Sequence, residues 1–227
     1  MRYVGSLQYA RMLDAREYYE KCGFQYVDVP WAVGRDAILL TRPPQIKGEP
    51  FSYVVDHIRQ PPGIRLYPVA SAEQSFLQMQ MDAIAAGTRI TGSFCTMTPC
   101  FRNELVLDEL HQPYFFKLEL ISWDKTSPED LSKMIAAARL YIEHDDPDIW
   151  VDVIKNNAVD PISVAQQYDL VGALTKIELG SYGIREHAKV GRWAYGTGLA
   201  EPRYTYVIEQ ERAAKAARLQ AAPSSPA

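Results

Sequence analysis

The sequence predicts a mixed α/β domain in which an antiparallel β-sheet is flanked by helices. Around residues 98–120, two segments with alternating side-chain character are joined by a loop. This pattern indicates a β-hairpin, because successive side chains of a strand point to opposite faces. Elsewhere, apolar residues recur at steps of three and four, which is typical of amphipathic helices. With 227 residues, 47% of them hydrophobic, the chain can form one globular domain with a full core.

The first helix is predicted over residues 9–22, whose apolar residues follow a helical spacing. Gly23 is placed to end it in a left-handed cap. A β-rich run follows and stops at Pro30, which cannot donate a ladder hydrogen bond. The N-terminal segment is therefore predicted to be a helix, a glycine turn and a short strand.

Two further helices have recognisable starts. Ser71-Ala-Glu-Gln74 predicts a capping box, and the helix after it ends near Gly87. Residues 126–130 combine Ser, Pro and two acids, which favour a helix N-terminus. The predicted apolar face of the first of these helices is Phe76, Leu77, Met81 and Ile84; that of the second is Leu131, Met134, Ile135, Ala138 and Ile142. Between residues 41 and 70 the chain is proline-rich, and we predict a loop there with a strand at 51–58.

The hairpin is unusual because one of its faces is densely charged. Arg102 and Glu104 share a face of the first strand, and Phe115, Lys117 and Glu119 share a face of the second. The other face of the second strand is apolar. Charges packed this closely are costly unless a charged ligand or each other satisfies them. The pattern predicts a nucleotide site, although a solvated, salt-bridged outer face would look similar.

This segment resembles motif 2 of the class II aminoacyl-tRNA synthetases, which has a Phe-Arg-x-Glu strand, a loop and an aromatic strand. Locally it is most similar to the phenylalanyl enzymes, whose loop and return strand carry Asp-x-x-His-x-Pro-x-Phe-x-x-Leu-Glu. The same spacing occurs here from Asp108 to Glu119. So many fixed spacings rarely coincide by chance.

Two other segments are similar to the remaining motifs of that family, in the family's order. Residues 9–30 resemble motif 1, which forms the dimer interface there. Residues 193–203 resemble motif 3, a Gly-x-Gly-x-Gly-x-x-Arg strand that runs into a helix, with Ala200 in place of the third glycine. We expect the glycines to let a ligand ring lie against the backbone. Residues 176–185 resemble the Glu-bearing strand that precedes motif 3 in the phenylalanyl and asparaginyl enzymes.

The resemblance covers about residues 7–212, which predicts a catalytic domain over residues 1–212. Residues 213–227 are predicted to be the end of a helix and a disordered tail. We expect no anticodon-binding module. In this respect the chain is similar to the asparagine synthetase that resembles this fold.

The resemblance implies a set of ATP-binding residues. Arg102 would bridge the α-phosphate and the substrate carboxylate, and Glu104 would accept from the adenine amino group. Phe115 would stack on one face of the adenine, while Arg203 would cover the other face and reach the γ-phosphate. The structural alternatives are a surface ion pair between Arg102 and Glu104 and a core position for Phe115.

Two more residues are implied to act on the phosphates. His111 would contact them from the motif 2 loop, or be an ordinary exposed loop residue. Glu178 would hold Mg²⁺ against them, or form a structural ion pair with Lys176 or Arg185. Arg102 and Arg203 are thus the implied catalytic residues, and ATP and Mg²⁺ are the implied cofactors.

Three further residues are implied to bind the amino acid, with alternatives for two of them. Glu119 matches the glutamate that binds the substrate ammonium in phenylalanyl-type enzymes. Lys117 replaces their glutamine; it cannot help to bind an ammonium, and it could pair with Glu119 or bind an acidic side chain of the substrate. Gln74 aligns with a substrate-facing glutamine, but the predicted capping box explains it equally well.

The resemblance therefore implies an ATP-dependent, amino-acid-activating ligase that transfers the acyl group to tRNA, to ammonia or another amine, or to a carrier protein. The alternative is a catalytically inactive paralogue that binds an amino acid or tRNA and regulates a partner enzyme. A homodimer is implied by the motif-1-like segment. The sequence shows neither the amino acid nor the acceptor.

Hydropathy, cysteine count and net charge argue against several other classes of protein. No run of eighteen apolar residues and no signal peptide are present, so no membrane partner is expected and a cytoplasmic location is predicted. Three cysteines do not suit a disulfide framework. A net charge of −4 argues against broad nonspecific nucleic-acid binding.

Overall fold

A seven-stranded sheet organises the chain in the computed structural model, which describes residues 7–42, 65–102 and 106–221. The helices are α1 Tyr9–Lys21, α2 Arg35–Thr41, α3 Ala72–Ala85, α4 Pro128–Asp145 and α5 Arg203–Ala221. The strands are β1 Gln25–Tyr26, β2 Ala32–Val33, β3 Tyr67–Pro68, β4 Ser93–Phe101, β5 Tyr114–Ser122, β6 Val151–Asn156, β7 Gln167–Gly172, β8 Glu178–His187 and β9 Gly191–Glu201. Their order in the large sheet is β1-β4-β5-β9-β8-β7-β6, and β2 pairs with β3 separately.

The sheet is antiparallel except where β1 pairs in parallel with β4. The predicted hairpin is confirmed as β4 and β5, which pair from Ser93↔Ser122 to Phe101↔Tyr114. Beside it, β9 pairs with β5 through a bulge between Leu118 and Glu119. The predicted fold class, an antiparallel sheet flanked by helices, is confirmed.

The two faces of the sheet have different covers. On the back face, Leu118 and Leu120 pack into the main core with residues of α1, α4 and α5, including Tyr19 and Val207. On the front face, Trp193 and other residues of β5 and β9 pack against α3. In the described part of the chain, α3 and residues 160–162 cover part of the front face, and a portion of that face near the start of α5 stays open.

The glycines of β9 serve packing, which corrects our expectation that they admit a ligand ring. A Cβ atom on Gly198 would lie 2.3 Å from a Leu118 methyl group and 2.8 Å from the Tyr19 ring. One on Gly196 would lie 2.6 Å from the Tyr182 ring and 2.7 Å from Met134 Sδ. All four of these partners belong to the back-face core. Glycine is therefore required at both positions because helices and aromatic rings approach the strand from the back.

The helix ends mostly follow the sequence. Gly23 ends α1 with φ = 93°, the left-handed conformation that was predicted. At the start of α4, Ser127 and Asp130 form a capping box, with Pro128 in the first turn. The predicted buried stripe of α4 is confirmed, and Tyr141 extends it.

The capping box predicted for α3 is wrong. Ser71 Oγ accepts from Glu73 N at 3.4 Å, and Gln74 Oε1 accepts from Ala70 N, one residue before the N-cap. The physical reason is that the Ser71 hydroxyl donates to the Glu119 carboxylate at 2.7 Å and is thereby drawn towards the sheet. The N-cap is present, but its reciprocal hydrogen bond is not formed.

Several predictions fall at the limits of the described residues. The strand predicted at 51–58 and the tail residues 222–227 lie outside them. Within them, α5 runs past the predicted domain boundary at residue 212 and ends at Ala221. Of the described helices, none is both long and apolar enough to cross a membrane.

Candidate active site

A cleft opens on the front face where β5, β8 and β9 meet the start of α5. Its empty space, which includes open solvent at the mouth, is about 570 Å³. Five of the predicted site residues line it although they come from distant parts of the sequence: Arg102, Phe115, Lys117, Glu178 and Arg203. An adenine covered on one face by Phe115 and on the other by Arg203 needs both residues in one cleft. Both line this one.

Arg203 is held at one wall of the cleft by two contacts. Its Nη1 donates to Glu178 Oε1 at 3.2 Å, and its Nη2 donates to the Leu110 carbonyl at 3.2 Å. The Arg203 and Glu178 side chains are 26% and 44% exposed. The pair is thus open to solvent and to ligands, and it links the sheet to the loop between β4 and β5.

Arg102 follows directly after β4, where its backbone N donates to the Pro113 carbonyl at 3.0 Å. Its guanidinium carbon lies 4.9 Å from the centre of the Phe115 ring, a cation–π contact. A surface ion pair with Glu104 was the alternative; Glu104 lies outside the described residues.

Lys117 and Glu119 form a buried ion pair deeper on the same face. Lys117 Nζ lies 3.0 Å from Glu119 Oε1, and the two side chains are 13% and 1% exposed. Ser71 at the start of α3 donates to the other carboxylate oxygen. Burial and then the charge of Glu119 raise the pKa of the neighbouring Cys100 thiol to about 11. Lys117 lines the cleft, but Glu119 does not.

Two more of the predicted site residues, His111 and Gln74, do not line the cleft. His111 is exposed in the β4–β5 loop, where its Nδ1 lies 2.8 Å from Asp108 Oδ1. This hydrogen bond lowers the pKa of the Asp108 carboxyl. Gln74 is buried in α3 and donates to Thr41 Oγ1 at 3.2 Å, besides accepting from Ala70. Both side chains have intramolecular partners in this structure.

The alternatives considered for Glu178 are wrong, because its partner is Arg203. Lys176 instead pairs with Asp152, on the far side of β7 from the cleft. Arg185 contacts Glu73 Oε2 and lies 2.7 Å from Asp160 Oδ2.

The Arg185 network fixes α3 to the covered part of the front face. Glu73 is 3% exposed and also accepts from the Trp193 ring nitrogen at 2.6 Å. Burial is the largest single influence and would lower the pKa of Arg185, but the charges of Glu73, Tyr195 and Asp160 and the hydrogen bond to Glu73 together raise that pKa. The guanidinium also lies over the Tyr195 ring. The network is saturated and lies under α3, so we assign it a structural role.

Sequence reasoning missed two hydroxyl groups that line the cleft. Thr197 and Ser181 lie on neighbouring strands, and Ser181 N donates to Thr197 Oγ1 at 3.3 Å. Thr197 stands between two glycines that face the back, so strand alternation alone would have placed it on the front face. Ser181 had no comparable signal. The loop residues Glu109, Leu110 and Gln112 also line the cleft.

The chain was compared with known proteins in three ways. No protein-family model matches it, and a search of curated proteins found no relative. Among solved structures, the pyrrolysyl-tRNA synthetase of Desulfitobacterium hafniense is similar, with a TM-score of 0.63 and 14% identity over 89% of this chain and 69% of that one.

Two seryl-tRNA synthetases are similar as well. The enzyme of Naegleria fowleri, solved with AMP, gives a TM-score of 0.64 at 16% identity and 88% coverage of this chain. That of Pyrococcus horikoshii, solved with ATP, gives 0.60 at 15% identity and 88% coverage. This chain spans 47% and 49% of those two proteins. On this similarity of structure, the chain has the fold of the class II aminoacyl-tRNA synthetase catalytic core.

Proposed function

We propose that this chain is an ATP-dependent, amino-acid-activating ligase whose substrate is an amino acid or an acid derived from one. The observation that carries the proposal is the convergence of Arg102, Phe115, Glu178 and Arg203 on one cleft. Arg102 and Phe115 belong to the β4–β5 hairpin, whereas Glu178 and Arg203 come from β8 and α5. Their meeting with the hairpin is therefore a property of the fold rather than of a local sequence pattern. An aromatic ring and two guanidinium groups that line one cleft suit a nucleotide.

In the proposed reaction, a carboxylate oxygen of the substrate attacks the α-phosphorus of ATP. A new P–O bond forms, the bond from the α-phosphorus to the bridging oxygen breaks, and pyrophosphate leaves. In the free protein Arg102 rests on the Phe115 ring. In the proposed complex the adenine takes this place, and the guanidinium moves to the α-phosphate, where it stabilises the growing charge. Arg203 remains at the opposite wall of the cleft and contacts the nucleotide from there.

The Mg²⁺ proposed with ATP fits the residues present. Mg²⁺ in nucleotide sites is commonly held by one or two carboxylates together with phosphate oxygens and water. Glu178 supplies a half-exposed carboxylate in the cleft. No cluster of three or more His, Cys, Asp or Glu ligands occurs within residues 7–42, 65–102 and 106–221, which agrees with an ion that arrives with its nucleotide. When bound, the ion neutralises phosphate charge.

We also propose roles for the other predicted residues and for the assembly. Glu104 and His111 contact the nucleotide from the β4–β5 loop, and Gln74 supports the substrate end through α3. Homodimerisation uses the segment of α1 and β1, where Tyr9 and Leu13 are 58% and 49% exposed. The acceptor of the acyl group is tRNA, an amine or a carrier protein.

Exchange of labelled pyrophosphate into ATP tests the ligase directly. The purified chain is incubated with ATP, Mg²⁺, labelled pyrophosphate and one acid at a time. The acids comprise the twenty common amino acids and their derivatives. Label in ATP that depends on one acid supports the ligase, and it also identifies the substrate. Absence of exchange with every acid would contradict it.

A second candidate is a catalytically inactive, amino-acid- or tRNA-binding regulator of a partner enzyme. The observation that favours it is the Lys117–Glu119 pair, which leaves the expected ammonium-binding carboxylate already engaged. When exchange is absent, calorimetric titration with amino acids and with tRNA tests the regulator. A regulator would bind amino acid or tRNA without giving exchange.

A further inference from the structure

The inner end of the cleft carries a positive charge where a substrate ammonium was expected. Lys117 follows Phe115 by two residues on the same face of β5, roughly 7 Å along the strand. It lines the cleft with a side chain that is 13% exposed. In the proposed complex, Lys117 therefore meets the acyl part of the substrate rather than the adenine.

Glu119 offsets part of that charge, but it offers no free oxygen to a ligand. Its Oε1 is 3.0 Å from Lys117 Nζ, and its Oε2 accepts from Ser71 Oγ at 2.7 Å. It is 1% exposed and lies beneath the N-terminus of α3, away from the cleft wall. Both oxygens are thus engaged from inside the protein.

The two carboxylates that line the cleft have other positions or roles. Glu178 pairs with Arg203 and would hold Mg²⁺ in the proposed complex, and Glu109 belongs to the β4–β5 loop, whereas the hydroxyls of Thr197 and Ser181 are neutral. Lys117 has three N–H donors, and in the described part of the chain it gives a hydrogen bond to Glu119 alone. An ammonium beside it would meet a like charge, whereas an oxygen acceptor would gain a charge-assisted hydrogen bond.

We propose that the acid activated here carries a neutral oxygen acceptor, and no charged amine, on its α carbon. This class comprises amino acids whose α-nitrogen is acylated, 2-hydroxy acids and 2-oxo acids. Lys117 donates to that acceptor and serves as the specificity-determining residue. The proposal rests on the proposed ligase function, because it specifies the substrate of the same cleft.

The experiment measures pyrophosphate exchange with matched series of acids. For each side chain, the free amino acid is compared with its N-acetyl, 2-hydroxy and 2-oxo counterparts. We expect at least one neutral member to give a kcat/KM about tenfold or more above that of the free amino acid, which a like-charge contact at an effective dielectric constant of about 20 readily supplies. Equal or greater exchange with the free amino acid overturns the inference and leaves the ligase intact. Exchange with no acid overturns both.

Two variants and a control assign the selectivity to Lys117. Lys117→Gln removes the positive charge and leaves Glu119 able to accept from an ammonium, so relative use of free amino acids should rise about tenfold. Lys117→Gln combined with Glu119→Gln removes both charges and should not show this gain. Lys215→Gln is the control. It removes an exposed lysine of α5 that pairs with Asp148, and it should leave selectivity unchanged. Unaltered selectivity in Lys117→Gln would overturn the role of Lys117, and the wild-type series decides the substrate class even if the variants fail to fold.

Discussion

Two arginine–glutamate pairs on the front face of the sheet have similar chemistry and different surroundings. Arg203 and Glu178 lie 3.2 Å apart with side chains 26% and 44% exposed. Arg185 and Glu73 are closer, and their side chains are 15% and 4% exposed. Asp160 and Trp193 complete the partners of the second pair, whereas the first pair borders an open cleft.

The difference separates the front face into a structural half and a ligand-binding half. Under α3, charges are enclosed and each has a protein partner, so removing one leaves another buried without compensation. At the cleft, Arg102, Glu178 and Arg203 are held in solvent-exposed contacts that a ligand can replace at low cost. Substitutions in the first half should therefore alter stability, and those in the second should alter catalysis.

The largest effect is expected for Arg102→Ala in the open half. Loss of the guanidinium removes the charge that stabilises the α-phosphate, and pyrophosphate exchange should fall by about 10³-fold or more. Arg102 is exposed, so the midpoint of thermal unfolding should hardly change. Arg139→Ala, which removes an exposed arginine that pairs with Glu143 on α4, is the matched control. Equal exchange in the two variants would remove Arg102 from the proposed site.

Arg185→Ala is the corresponding change in the covered half. It leaves the buried carboxylates of Glu73 and Asp160 without their cation, which typically costs about 3–5 kcal/mol. For a domain of this size the thermal midpoint should fall by roughly 10 °C, as measured by calorimetry or circular dichroism. Combining the change with Glu73→Gln should restore part of the loss. If Arg185→Ala unfolds at the wild-type temperature, the division of the front face into two halves is wrong.

The sequence predicted the local features of this arrangement and missed contacts between distant segments. The hairpin followed from alternation between residues 98 and 120, and the helix end at Gly23 followed from glycine's access to positive φ. The contact of Ser71 with Glu119 joins residues 48 positions apart. No local pattern encodes such a contact, so the capping box was predicted in its place.

Resemblance to a family identified site residues that pattern alone could not. It brought Glu178 and Arg203 into consideration, and both line the cleft. The pairing of Lys117 with Glu119 was one of two alternatives offered from the sequence, and the structure confirms it; its burial depends on how α3 closes over β5 and could not be predicted. The back-facing position of Gly196 and Gly198 follows from alternation on β9 and was available from the sequence.

Phe115→Leu tests which face of β5 binds the nucleotide. Loss of a stacking ring typically costs about 1–3 kcal/mol of binding energy, so the KM for ATP in the exchange assay should rise roughly tenfold with little change in unfolding temperature. Phe116→Leu is the control, because Phe116 packs against the back-face core and lies 5.7 Å from the Tyr9 ring. This variant should lose stability and keep its KM for ATP. The reverse outcome would place the nucleotide on the other face.

The smallest effect concerns how tightly the floor of the cleft is packed. Cys100 pairs with Phe115 on the front face, Cys95 lies in the back-face core, and Cys22 is exposed. Burial raises the pKa of Cys95 to about 12 and that of Cys100 to about 11, so at pH 8 both are protonated and unreactive.

A thiol reagent should therefore label the native chain at Cys22 only, and label all three cysteines in denaturant; intact-mass spectrometry counts the adducts. If the strands beneath the cleft are well packed, Cys100 should be as protected from the reagent as Cys95. Labelling of Cys100 at a rate close to that of Cys22 would mean that the end of β4 opens locally. The site would then be ordered by its ligand, and the contact of Arg102 with Phe115 would describe one of several free-state arrangements rather than a preformed site.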